Sequence, residues 1–323
     1  MKGVLLLNLG GPSNLDEVKP FLYRLFSDPA ILVGIPSPFR QGLAFLISQL
    51  KASSSRRMYR KIGGGSPQLY WTQKQAEGLE KLLCRKDSQE NFSENKFLVK
   101  IGMRASSPFI EEALLELKNG GAEEVILFPL FPQFSTTTTG SCFQEVDRLM
   151  KKWKWNPVVR KITKWANHPE YISLLIKTIQ ESLDFNEKTH VLFSAHSLPM
   201  AVVKRGDPYL EDVHSTVNAI TEQLSPNFSW SLAFQSRNGK LPWLEPYIED
   251  ELMRLGKTGV KKVVVVPLSF VSDHIETLWE LDQYYFKIAR EHGIEKYFRT
   301  RTFNDDPEFS QVLYSVLAHA WKN

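Results

Sequence analysis

The chain repeats itself. Residues 108–130, PFIEEALLELKNGGAEEVILFPL, align without a gap on residues 246–268, PYIEDELMRLGKTGVKKVVVVPL, and nine of the 23 positions are identical at an offset of 138. Ordinary residue usage gives about one or two such matches by chance. Each copy reads as an amphipathic helix, a glycine stop and an apolar strand closed by Pro-Leu. A helix feeding a wholly apolar strand is a unit of a parallel α/β sheet, because such a strand is covered on both faces. A weaker echo links VLLLNLGGP at 4–12 with VLFSAHSLP at 191–199. The repeat therefore predicts an α/β chain of two similar, doubly wound domains with parallel sheets and a cleft between them. The first is expected over 1–135 plus 305–323, and the second over 136–304. The segment 307–321 reads as a helix that returns to the first domain.

Composition narrows the partners. A formal net charge of +4 over 323 residues is too small for a nucleic-acid surface. Two cysteines, Cys84 and Cys142, form no CxxC pair, so neither a disulfide framework nor a cysteine-bound metal is expected. MKGVLLLNLGG reads as a first strand rather than a signal peptide, and no stretch of about 18 apolar residues spans a membrane. The cytoplasm is the expected location. Residues 30–50, AILVGIPSPFRQGLAFLISQL, are strongly apolar. They are either a core helix behind a loop or an exposed apolar lip on a cleft or membrane surface. A basic cluster follows, Lys51, Arg56, Arg57, Arg60 and Lys61, and runs into IGGGSP at 62–67. Those glycines permit close backbone approach, but no Gly-Lys-Ser/Thr follows to make a P-loop.

The duplication is its own control, because the two halves differ in chemistry. His196 ends a strand where the first half has Leu9, and Glu276 aligns with Thr138. A single histidine after a strand is more often structural than functional, yet here it lies on the carboxyl edge where open α/β sheets bind ligands. Asp273, Glu276 and Glu280 are spaced to share one face of an α-helix, with Glu276 and Glu280 about 6 Å apart along its axis. Such a row is either a solvated face or, with His196 and His274, a set of groups that pass on a divalent metal or accept protons.

Six stretches carry a resemblance: LLNLGGP, YRKIGGGSP, FPQFSTTTTGS, LFSAHSLP with RGDPY, FQSRNGKLPWLEP and SFVSDHIETLWELD. Together they resemble the ferrochelatases, which insert ferrous iron into a porphyrin. The resemblance implies paired Rossmann-like domains and places the active-site histidine and glutamate on His196 and Glu276, which would also meet the metal. Asp273 and Glu280 would form a secondary metal path. It places porphyrin contacts on Tyr59 and Arg104, and Arg57, Arg60, Ser66 and Trp243 are expected to join them. Ala105 stands where the family often has tyrosine or histidine, and Leu9 stands where its coproporphyrin-using branch has tyrosine. The implied reaction is insertion of Fe2+, as substrate, into protoporphyrin IX to give protohaem. The alternatives are coproporphyrin III, another metal or tetrapyrrole, or a non-catalytic tetrapyrrole-binding module. Neither a permanently bound cofactor nor an iron–sulfur cluster is expected, nor a nucleic-acid partner, whereas residues 30–50 offer a peripheral membrane contact.

Overall fold

Both copies of the repeat fold alike. The protein is described by a computed structural model over residues 1–87, 97–182, 188–224, 228–239 and 241–322. It divides into two units, Met1–Trp165 with Asn304–Asn323, and Ala166–Phe303.

Unit 1 runs β1 (Lys2–Asn8), α1 (Val18–Ser27), α2 (Ser37–Arg60), α3 (Gln68–Asp87), β2 (Phe97–Met103), α4 (Ile110–Asn119), β3 (Glu124–Pro129), α5 (Thr139–Trp153) and β4 (Val158–Lys161). Unit 2 runs α6 (Pro169–Ser182), β5 (His190–His196), α7 (Met200–Val203), α8 (Tyr209–Thr221), β6 (Ser229–Gln235), α9 (Ile248–Lys257) and β7 (Lys262–Pro267). A π-helix (Glu276–Tyr285), α10 (Phe286–Glu291) and β8 (Lys296–Arg299) complete it, and α11 (Pro307–Lys322) belongs to unit 1.

The sheets have the same order, β2-β1-β3-β4 and β6-β5-β7-β8, and every pairing is parallel. The registers match residue for residue. Leu7 faces Pro129 in one sheet and Ser194 faces Pro267 in the other, so His196 lies two residues on, where unit 1 has Leu9. The identities explain themselves physically. Ile110, Leu114 and Leu117 of α4 pack on Leu5, Val125 and Leu127, while Ile248, Leu252 and Leu255 of α9 pack on Leu192, Val263 and Val265. Gly121 and Gly259 follow those helices at φ 76 and 83, a left-handed turn that only glycine makes without cost.

Three expectations are revised. The boundary falls at 165/166 rather than 135/136, because β4 pairs with β3 and α5 covers the same sheet, so both complete unit 1. Residues 84–96, CRKDSQENFSENK, read by their polarity as an exposed loop, yet α3 continues to Asp87, and 88–96 lie outside the described residues. The acidic row after β7 is not α-helical: Glu276–Tyr285 form a π-helix with i→i+5 bonding, and Asp273 precedes it.

Helix α2 settles the reading of residues 30–50. Its buried face is made of small residues, Ala44, Ser48, Ala52 and Ser55, with Tyr59 at the end. Small side chains let α2 lie close against α1, and the large apolar ones are left outside. Phe39, Leu46 and Leu50 are 74%, 54% and 73% exposed. The stretch is an exposed apolar face. Among the described residues no helix is long and apolar enough to cross a membrane.

Candidate active site

The carboxyl edge of the unit 2 sheet gathers its ionisable groups. His196 is the last residue of β5, and its position is fixed on both sides. Its backbone N–H donates to Ser269 Oγ (3.2 Å), and that hydroxyl in turn bonds the buried Tyr209 Oη (2.5 Å). Ring Nδ1 lies 2.5 Å from the Ser197 carbonyl, which can only accept, so Nδ1 carries a proton. Nε2 is therefore the working nitrogen, and it faces Glu276 Oε1 at 3.4 Å.

Glu276 opens the π-helix and is held between two imidazoles, since its Oε2 lies 3.1 Å from His274 Nε2. Phe270 fills the gap, its ring edge-on to both histidines with centroids 6.4 and 4.6 Å away. Gln235, the wholly buried last residue of β6, joins the strand edge to the helix. Its amide donates to the Glu276 carbonyl (3.0 Å) and to Glu280 Oε2 (3.1 Å), and accepts from Ser194 Oγ (2.6 Å). Ser236 Oγ also donates to Glu280 (2.5 Å).

These neighbours set three different protonation states. Burial alone would lower the His196 pKa, but the Glu276 carboxylate beside it prevails and raises it to about 9. Burial alone would raise that of Glu276, and the two histidines instead hold it well below the usual carboxylate range. Glu280 is pushed up to about 7, first by burial and then by the Glu276 charge. At neutral pH the site is an imidazolium–carboxylate pair with a carboxyl poised beside it. Among the described residues no three His, Cys, Asp or Glu side chains are arranged to hold a metal ion.

The expected metal path is half assembled. Glu280 lies beside Glu276, but Asp273 pairs with Arg299 (3.1 Å) and accepts from Thr277 Oγ1 (2.9 Å). His274 rather than Asp273 is the second neighbour of Glu276. Trp243 is half-buried in the segment after β6, where it bridges to Pro199 three residues beyond His196.

Unit 1 holds the other expected residues. Tyr59 is buried, with its hydroxyl near Gly11, and Ser66 packs against the same glycine. A Cβ on Gly11 would come within 2.6 Å of Ser66 Cβ, so the turn after β1 and the IGGGSP turn meet only because Gly11 has no side chain. Arg57 and Arg60 are exposed on the last turn of α2. Arg104 is no free cation. It pairs with the buried Asp28 (3.1 Å) and donates to Ser141 Oγ (2.9 Å), and that hydroxyl also bonds Asp28. Asp28 therefore already balances the charge of this guanidinium. Asp28, Gln235, Ser269 and Tyr209 carry no sequence signal of their own. Tyr209, Gln235 and Ser269 lie within the RGDPY, FQSRNGKLPWLEP and SFVSDHIETLWELD stretches, whereas Asp28 lies in none of them.

The family model described as Ferrochelatase matches residues 1–320. A protein named ferrochelatase from Aquifex aeolicus (strain VF5) is 44% identical over 317 residues, with 98% of each chain covered. One of the same name from Picosynechococcus sp. (strain ATCC 27264 / PCC 7002 / PR-6) is 40% identical over 98% of this chain and 81% of its own. The fold is similar to SirB from Bacillus subtilis with Fe3+, with a TM-score of 0.56 at 12% identity over 99% and 95% of the two chains. It is also similar to CbiX, described as the terminal enzyme of sirohaem biosynthesis in denitrifying bacteria, with a TM-score of 0.53 at 11% identity over 99% and 98%.

Proposed function

The chain belongs to the ferrochelatase family, and we propose that it inserts Fe2+ into protoporphyrin IX with His196 and Glu276 as the working pair. Membership makes it a lyase of haem synthesis that inserts a metal ion into a porphyrin. The reading of the site rests on one observation, the 3.4 Å approach of His196 Nε2 to a Glu276 held between two histidines. One ferrous ion enters the ring and two pyrrole protons leave it. Glu276, ionised, attracts the cation. Once it ligates iron, its negative field no longer supports the proton on His196, and burial then drives that proton off. The freed Nε2 accepts the first pyrrole proton, hands it on to the neighbouring Glu280, and then accepts the second. Glu280, with its pKa near neutrality, relays protons outward.

Arg57 and Arg60 offer cations for the propionates, and the exposed face of α2 offers apolar surface for the macrocycle. Tyr59 and Ser66 serve by shaping the glycine turn, and Trp243 by walling the approach to His196. The reading places the enzyme in the cytoplasm, with the α2 face touching a membrane surface, and iron is its substrate rather than a resident cofactor. Leu9 favours protoporphyrin over coproporphyrin, whose extra carboxylates gain nothing from an aliphatic side chain at that strand end.

Anaerobic metalation followed by absorbance tests this. Because Leu9 and Thr138 occupy the matching places in unit 1, His196→Leu and Glu276→Thr should fold, quench with porphyrin as wild type does, and fail to metalate. Wild-type turnover in His196→Leu would remove the assignment. Faster turnover with coproporphyrin III than with protoporphyrin IX would reassign the substrate.

A further inference from the structure

We propose that Arg299 is a positioning residue for metal insertion, holding Asp273 and the π-helix together so that His274 and Glu276 keep their register toward His196. The proposal rests on the assignment of insertion to the His196–Glu276 pair. Arg299 ends β8, its side chain only 11% exposed, and it grips two carboxylates that precede and follow Glu276 in sequence, Asp273 and Asp282. Its Nε and Nη2 fork onto Asp282 of the π-helix at 2.6 and 2.8 Å. Its Nη2 also reaches Asp273 Oδ1 at 3.1 Å. Asp273 then accepts from Thr277 Oγ1 (2.9 Å), and that oxygen takes the His274 backbone N–H (3.0 Å). The residues from 273 to 282, His274 and Glu276 among them, are thus fastened at both ends by one planar guanidinium, a geometry an ammonium does not offer.

The other unit shows what the fold alone requires. Lys161 stands in the register of Arg299, Lys161 facing Leu127 and Arg299 facing Val265. It pairs simply with Asp147 of α5 at 2.8 Å, with its side chain 34% exposed. Ser135 takes the place of Asp273, and Thr139, the counterpart of Thr277, leaves its buried hydroxyl without a partner. A strand-to-helix ion pair therefore suffices to build the unit. The second carboxylate, the fork and the threonine bond occur only where Glu276 has to be aimed.

The test is Arg299→Lys, which keeps a cation for Asp282 as Lys161 does for Asp147, together with Asp273→Asn and the double variant. Each single variant should lower kcat for anaerobic metalation about tenfold or more, the usual penalty for losing a group that orients metal ligands. KM for porphyrin and tryptophan quenching by porphyrin should stay at wild type. The double variant should lose no more than the larger single loss, because both act through one contact. Lys161→Met should keep full kcat. A folded Arg299→Lys with wild-type kcat, or an additive double variant, overturns the proposal. If Arg299→Lys does not fold, Asp273→Asn decides, and full kcat there overturns it. An inactive His196→Leu alongside a fully active Arg299→Lys would reject the positioning role alone, whereas an active His196→Leu would reject the site itself.

Discussion

Glu276 touches two imidazoles and lies beside a second carboxyl, and each neighbour alters what it can do. The pair it forms with His196 has a stability signature with a definite sign. The His196 pKa is about 9 in the folded protein against about 6.5 for a free imidazole. Its contribution is therefore fully present below about pH 6.5 and is lost as pH rises through 9. Glu276, depressed, contributes above its ordinary pKa and loses that contribution in acid. Denaturant titrations of wild type and His196→Leu should thus differ most around pH 5–6.5 and converge toward pH 10. A gap that widened with pH would mean that His196 is neutral in the folded state. His196 and Glu276 were legible in the sequence because the duplicate half offered Leu9 and Thr138 for comparison. Gln235, Ser269 and Tyr209 lay in stretches that carried the resemblance, but their roles were not legible, since each reaches the site from a different strand end or helix that only the sheet order brings together. Arg104 was legible as an arginine at a strand end, but its partner Asp28 lies 76 positions away at the end of α1, and no local pattern links them.

Two elements depart from ordinary helical rules, each for a visible reason. Helix α2 turns its small residues inward and its large ones outward, so periodicity alone left its core and lip readings equal. Exposure decides between them. Replacing Phe39 or Leu46 with Ser removes little buried surface and should shift unfolding stability by no more than about 0.5 kcal/mol. The same changes should weaken porphyrin binding, read as a higher concentration for half-maximal fluorescence quenching. Unchanged quenching would detach the α2 face from the macrocycle. The π-helix was invisible in sequence for a different reason. Its spacing of acids is compatible with α-helical turns, and the wider bonding is set by tertiary contacts, Gln235 to the Glu276 carbonyl and Arg299 to Asp282. The ends of β3, β5 and β7, by contrast, were legible in the apolar runs of the repeat and of VLFSAH, because a strand buried on both faces has no polar alternation to blur its end, whereas β2, β4, β6 and β8 gave no such signal.

At the scale of the whole chain, unit 2 lies within unit 1's sequence, and α11 supplies a helix to a unit whose other elements end at Lys161. The place it takes is informative. Helix α11 packs on α3, the helix that feeds β2, just as α6 packs on α8, the helix before β6. Helix α6 comes directly before β5, whereas α11 is the last element among the described residues. Its last turn nonetheless lies at the start of β1, where Lys2 Nζ is 4.1 Å from the centre of the Trp321 ring and Phe97 stacks edge-on to the same ring. Joining 322 to Lys2 through a linker as long as 183–189, and opening the chain between Phe303 and Asn304, should give a protein that folds and metalates at the wild-type rate. Circular dichroism melts and anaerobic turnover would check it, and a collapsed unit 1 would mean that α11 needs its tether to Phe303. In that order each half begins with its helix and runs through four parallel strands. The protein is then a circular permutation of a plain tandem repeat, with its opening helix carried to the far end.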